Sequence, residues 1–136
     1  MPIDEDLVNA RLRDVLSSIS ELKRVTSKSF VEMSIDEIYS MRYNIIVLVE
    51  AVASICLHIA IEQYGLRPRS YSECFREVSL RIGVKCFKDL EALSRLRNLL
   101  VHRYWVVRDD LVYNCVRDDF KCVLEFIEAV KRLMSK

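Results

Sequence analysis

Glycine and proline are scarce in this chain, with two of each among 136 residues. Sheet proteins with many tight turns draw heavily on both, so the shortage argues against that class and for long uninterrupted helices. There is no glycine-rich phosphate loop, no C-x-x-C or zinc spacing, and no Ser or Cys triad pattern. An excess of charge of one sign is missing as well. The net charge of +1 excludes a basic coat of the kind that binds nucleic acid nonspecifically, so any RNA contact has to be local. The start, Met1-Pro2-Ile3-Asp4-Glu5-Asp6, lacks the basic-then-apolar order of a signal peptide, which makes the cytoplasm the expected compartment. Five cysteines, Cys56, Cys74, Cys86, Cys115 and Cys122, are therefore expected as reduced thiols. High Arg, Glu, Ile and Val with a single glutamine hints at a thermophile, the setting in which intracellular disulfides are a known exception.

What is present describes one folded domain over residues 1–136, since 51% hydrophobic and 30% charged residues suit a globular core rather than disorder. From Asp4 to about Thr26, Val8, Leu12, Val15, Ile19 and Leu22 recur at steps of four and three, one stripe of an amphipathic helix. Ser34-Ile35-Asp36-Glu37 is a capping box, with Met33 and Ile38 placed as its hydrophobic staple, and the helix it opens meets no breaker before Gly65. Residues 45–61 of that helix are apolar nearly all round. Glu50, Ser54 and His58 interrupt them at steps of four, and a mid-helix carboxylate is costly in lipid, so a central core helix is expected and no membrane span. A second box, Ser70-Tyr71-Ser72-Glu73, opens a short helix closed by Gly83, with Tyr71, Phe75, Val78 and Ile82 supplying its apolar face. A fourth helix is predicted from about Lys85 through Val101, with Phe87, Leu90, Leu93, Leu96 and Leu100 toward the core. A last one is predicted from an Asp109 N-cap to Leu133. The fold class is all-α, an antiparallel bundle of about five helices.

Chemistry concentrates at the end of the fourth helix, in Arg97-Asn98-Leu99-Leu100-Val101-His102-Arg103-Tyr104-Trp105. No acid falls between Ala92 and Arg108, whereas Arg95, Arg97, Arg103 and Arg108 do, which makes a small positive site on a neutral protein. An imidazole exchanges protons near neutral pH, and a guanidinium holds a developing phosphate charge through a fork of donors. Attack of a 2′-hydroxyl on its phosphodiester needs both functions and no metal. Asn98 lies one helical turn before His102 and is placed to orient the imidazole. A lone Arg and His near a helix end are more often cap and surface groups, and a tyrosine beside Trp105 is more often core edge. Glu50 is read either as a partner of Arg97 or His102 or as a structural bridge between helices, and His58 as structural. Asp109-Asp110 and Asp118-Asp119 lack a third carboxylate at a matching step, so no metal site is expected.

The Arg-x4-His-x-Tyr arrangement of Arg97, His102 and Tyr104 closely resembles the motif of the HepT-type toxins, in the HEPN superfamily of small helical ribonucleases. The likeness extends over roughly Arg42 to Leu133, taking in the run Ile45–Ile61 with Glu50 and the stretch Asp110-Leu111-Val112-Tyr113. It implies a metal-independent endoribonuclease toxin without cofactor, with Arg97 and His102 catalytic, Asn98 and Glu50 supporting, and RNA as substrate. It further implies a homodimer whose two motifs face one cleft, and an MNT-type nucleotidyltransferase antitoxin that transfers AMP to Tyr104. On an ideal helix Arg97 and His102 point roughly 140° apart, so either the helix distorts near its end, or Arg97 folds around, or a second copy of the chain completes the site, and the resemblance favours the last. Arg97 and Tyr104, about 20° apart, would share a face if the helix persisted. Two other classes stay open: a noncatalytic accessory module that binds the nucleotidyltransferase or a nucleotide, and a purely structural dimerisation protein.

Overall fold

Asp4 opens the first helix by accepting the Leu7 amide at 3.1 Å, and α1 runs Glu5–Val25. The computed structural model describes residues 3–117 and 120–136, and all regular structure among them is helical. The stripe read from the sequence, Val8 to Leu22, is buried, with Val25 extending it. Ser34 accepts the Glu37 amide at 3.1 Å while the Glu37 carboxylate takes the Ser34 amide at 2.9 Å, so the capping box is closed in both directions. From it α2 runs Ile35–Tyr64 and ends on Gly65, whose φ of 63° is the left-handed cap that a side chain would strain. By length and apolarity α2 is able to cross a membrane. Here it is the central helix, packed against α1, α3 (Tyr71–Ile82) and α4 (Phe87–His102), with eleven buried residues from Met41 to Ala60.

The second capping box forms only by half. Ser70 caps α3 by accepting the Glu73 amide, but the Glu73 carboxylate reaches one residue further back, to the Arg69 amide at 2.8 Å. The expected last helix is two helices, α5 over Asp109–Arg117 and α6 over Lys121–Met134, which makes six α-helices among the described residues where about five were expected; Asp118 and Asp119 lie outside those residues. Its apolar periodicity carried no sign of the break, because Val112, Val116, Phe120, Val123 and Phe126 are all buried as a continuous helix would bury them. Asp109 is not the N-cap either. The carbonyl of Arg108 receives the first α5 amides, and Asp109 instead pairs with Arg42.

The α4 expectation holds for the helix and for Leu90 and Leu100, with Leu93 and Leu96 packed against the core but less fully covered. Only Leu90, Ser94 and Leu100 are buried; Phe87, Leu93 and Leu96 are half-covered. The reason is where α5 docks. Its Tyr113 hydroxyl donates to the Lys28 carbonyl at 2.6 Å and its Arg117 to the Thr26 carbonyl at 2.8 Å, and the Phe30 and Tyr113 rings meet at 5.6 Å. The α1–α2 connection thus takes α5, and an apolar groove remains between α5 and α4. One part, of about 300 Å³, is lined by residues including Leu96, Leu99, Val106 and Leu111, and a second, of about 420 Å³, by residues including Leu93, Leu96, Phe120 and Val123.

Cysteine usage is corrected as well. Cys86, at the N-cap of α4, and Cys122, in the first turn of α6, form a disulfide with Cα atoms 5.9 Å apart. Thirty-six residues of sequence hide a proximity that exists only once α6 has packed. For this pair the disulfide, not the reduced default, is what the structure holds. Cys56 and Cys74 face each other as buried thiols, Sγ to Sγ 3.0 Å, and burial pushes the Cys56 thiol well up from its ordinary value.

Candidate functional site

The site is assembled where the end of α4 crosses the middle of α2. Arg97 lies one turn and a half before the end of α4, its side chain about one-fifth exposed, and its Nε sits 2.6 Å from Glu50 Oε1. The contact is an ion pair in which the N–H does not point straight at the oxygen, which is why neither atom is satisfied by a regular hydrogen bond. Both readings of Glu50 hold together: it is a bridge between helices, and the group it bridges to is Arg97. Nη1 of Arg97 donates to Asn98 Oδ1 at 2.9 Å. The Asn98 oxygen thus lies against the guanidinium, whereas the sequence placed Asn98 to orient His102.

His102 is the last residue of α4 and is exposed. Helical geometry persists through it, so within one chain Arg97 and His102 stay on different sides of the helix, as the wheel arithmetic required. The same arithmetic does not carry over to Tyr104. Arg103, with φ −139° and ψ 44°, ends the helix, and Tyr104 begins a 3-10 turn, Tyr104–Val106. Its side chain is 59% exposed and packs edge-on against Trp105 at 5.3 Å. Its backbone is held: Arg42 Nη1 donates to the Tyr104 carbonyl at 3.2 Å, while Nε and Nη2 of the same guanidinium grip both Asp109 oxygens at 2.7 and 2.9 Å. The fork with Asp109 raises the Arg42 pKa further above its already high value. Arg42 was legible only as the beginning of a resemblance, since nothing local marks an arginine as one half of a pair 67 residues long.

His58 Nε2 accepts the Asp4 amide at 2.8 Å, tying the start of α1 to α2, which is the structural role expected of it. Among the described residues, no group of three His, Cys, Asp or Glu side chains is gathered as metal ligands.

The bundle thus brings together an Arg–Asn–His end of one helix, an exposed tyrosine just beyond it and a carboxylate facing the arginine. Residues 12–130 match the model of the HepT-like ribonucleases, and the chain belongs to that family. Its fold is shared by solved toxin–antitoxin proteins, each covering 93% of this chain and 98% of its own. One is from a toxin–antitoxin complex with AMP-PNP, at 21% identity and TM-score 0.85. A second is from the tri-AMPylated Shewanella oneidensis HEPN toxin in complex with MNT antitoxin, at 22% and 0.85. A third is from a mutant MntA–HpeT toxin–antitoxin, at 22% and 0.82. No curated protein sequence gives a significant match.

Proposed function

We propose that this HepT-like ribonuclease is the toxin of a toxin–antitoxin pair and cleaves RNA by attack of the 2′-hydroxyl, without a metal. His102 serves as general acid or base. In one half of the reaction a proton leaves the 2′-hydroxyl as its oxygen bonds to phosphorus; in the other a proton reaches the departing 5′-oxygen as the P–O5′ bond breaks. The products carry a 2′,3′-cyclic phosphate and a 5′-hydroxyl. Arg97 holds the non-bridging oxygens as charge gathers on them. Because Arg97 and His102 diverge around one helix, two copies of the chain pair their motifs across a shared cleft, and the exposed α4 end with its neighbouring groove is the face they use. Tyr104 is the acceptor of AMP from an MNT-type nucleotidyltransferase: its phenol projects into solvent while its backbone is fixed. Adenylate there would add bulk and negative charge beside Arg97 and His102 and repel RNA.

The observation that carries this reading is the preformed Glu50–Arg97 pair about one and a half turns before an exposed His102, with exposed Tyr104 just beyond the helix, in a chain of this family. It is tested by cleavage of a labelled tRNA pool and a matched DNA in EDTA. Wild type should cut the RNA and spare the DNA, and His102→Ala should lose about 10²- to 10⁴-fold in rate. Equal cleavage by both proteins would sink the assignment. No cleavage by an unmodified dimer across diverse RNAs would favour the accessory module. With ATP and the nucleotidyltransferase, label from ATP should enter wild type and not Tyr104→Phe.

A further inference from the structure

The Glu50–Arg97 pair has a third member, and the sequence offered it only as part of an apolar face. Tyr71, the first residue of α3, donates its hydroxyl to Glu50 Oε2 at 3.0 Å. Its ring lies beneath the Arg97 guanidinium, with Cζ 5.5 Å from the ring centroid. One phenol therefore touches both halves of the ion pair, joining α3 to the crossing of α2 and α4.

The need for such a group follows from exposure. The Glu50 side chain is 40% exposed, and a carboxylate on two flexible carbons at that exposure gives a weak, mobile pair unless something fixes its rotamer. Tyr71 holds one oxygen, which aims the other at Arg97. Burial first, and the Glu50 hydrogen bond second, push the phenol's pKa up, so the hydroxyl remains a donor at neutral pH. Around the guanidinium, Glu50 takes the Nε edge and Asn98 takes Nη1, and the ring covers a face. Among the described residues this leaves Nη2 and the second Nη1 hydrogen as donors for a phosphate oxygen.

We infer that Tyr71 is a positioning residue: through its hydroxyl it sets the Glu50 carboxylate, and through Glu50 and its own ring it fixes the direction in which Arg97 meets the phosphate. The consequence for cleavage rests on the ribonuclease reading above; the geometric role does not. A guanidinium aimed in advance is worth most as charge develops, so its misalignment falls on kcat rather than KM. Glu50 also places a negative charge near the phosphate seat, so Glu50→Gln should leave KM equal or lower while kcat falls, a split that general unfolding does not produce.

The test pairs steady-state cleavage with NMR of the arginine Nε–H signals, using Arg97→Lys to identify the Arg97 resonance. In wild type that proton should exchange slowly. In Tyr71→Phe, which keeps the ring, it should exchange about tenfold faster, and kcat should fall about tenfold with KM changed less than about twofold. Glu50→Gln gives the same NMR readout should Tyr71→Phe fold poorly. Unchanged Arg97 exchange in a folded Tyr71→Phe overturns the inference, whatever Glu50→Gln does and even if wild type cleaves RNA. Accelerated exchange with no cleavage by wild type supports the positioning role and sinks the ribonuclease reading instead.

Discussion

Between α1 and α2 every facing side chain is used: Val8, Val15, Leu22, Met41, Ile45, Leu48 and Ile55 are entirely covered, and His58 is spent on the Asp4 amide. Between α4 and α5 the same kinds of residue stay in view. Leu99, Val106 and Leu111 are exposed, the groove is unfilled, and the second histidine, His102, stands in solvent. The first flank holds the fold. The second leaves apolar and ionisable groups exposed, at the cost of the packing they would otherwise supply, and under the proposed function it is the face a second copy meets.

Substitutions sharpen the contrast. Leu48→Ala opens a cavity in the closed flank and should cost about 2–5 kcal/mol, whereas Leu99→Ala on the open flank should stay within about 0.5 kcal/mol in a dilute monomer. Urea melts of the two variants measure the gap, and equal losses would break the comparison. Reducing the Cys86–Cys122 disulfide, which closes a loop of 36 residues, should remove about 4 kcal/mol; melting with and without reductant reads it. Arg42→Ala leaves Asp109 half-buried without its partner and frees the Tyr104 turn, for an expected loss of about 2 kcal/mol with proteolysis beginning near that turn. The smallest effect belongs to Glu37. The Ser34 amide foremost, and then Lys28, hold its carboxyl below the usual value. A depressed folded pKa means its contribution is present above the unfolded carboxylate pKa and lost as pH falls through the folded one. Stability against pH in the acid range should therefore be flatter in Glu37→Gln.

The closed flank was legible because its information is local. A stripe at steps of three and four, Ser34 with Glu37, and Gly65 past the last turn each state their role within a few residues, and α1 and α2 formed as read. The Arg97–His102–Tyr104 grouping was legible as a motif, and the divergence of Arg97 and His102 followed from helix geometry alone. Glu50 could be narrowed to two roles but not resolved, since its partners lie 21 and 47 residues away. Tyr71 fell on an apolar face by spacing, and spacing has no knowledge of a hydroxyl's reach. The break before α6, the Arg42–Asp109 fork and the disulfide are likewise products of packing: each depends on which helix α5 and α6 dock against, and a continuous apolar period is compatible with more than one answer.

In mechanical terms α4 is a beam fixed at both supports. Its near end is bolted to α6 through Cys86, and just past its far end the Tyr104 carbonyl is pinned to α2 by Arg42. Arg97 sits on the span between them. Sliding or tilting sixteen residues of helix as a unit would strain both mounts, so the cheap motion at this point is rotation of a side chain on a stationary rail. Anything that engages the guanidinium therefore works against a few torsions, while the helix that carries it keeps its alignment.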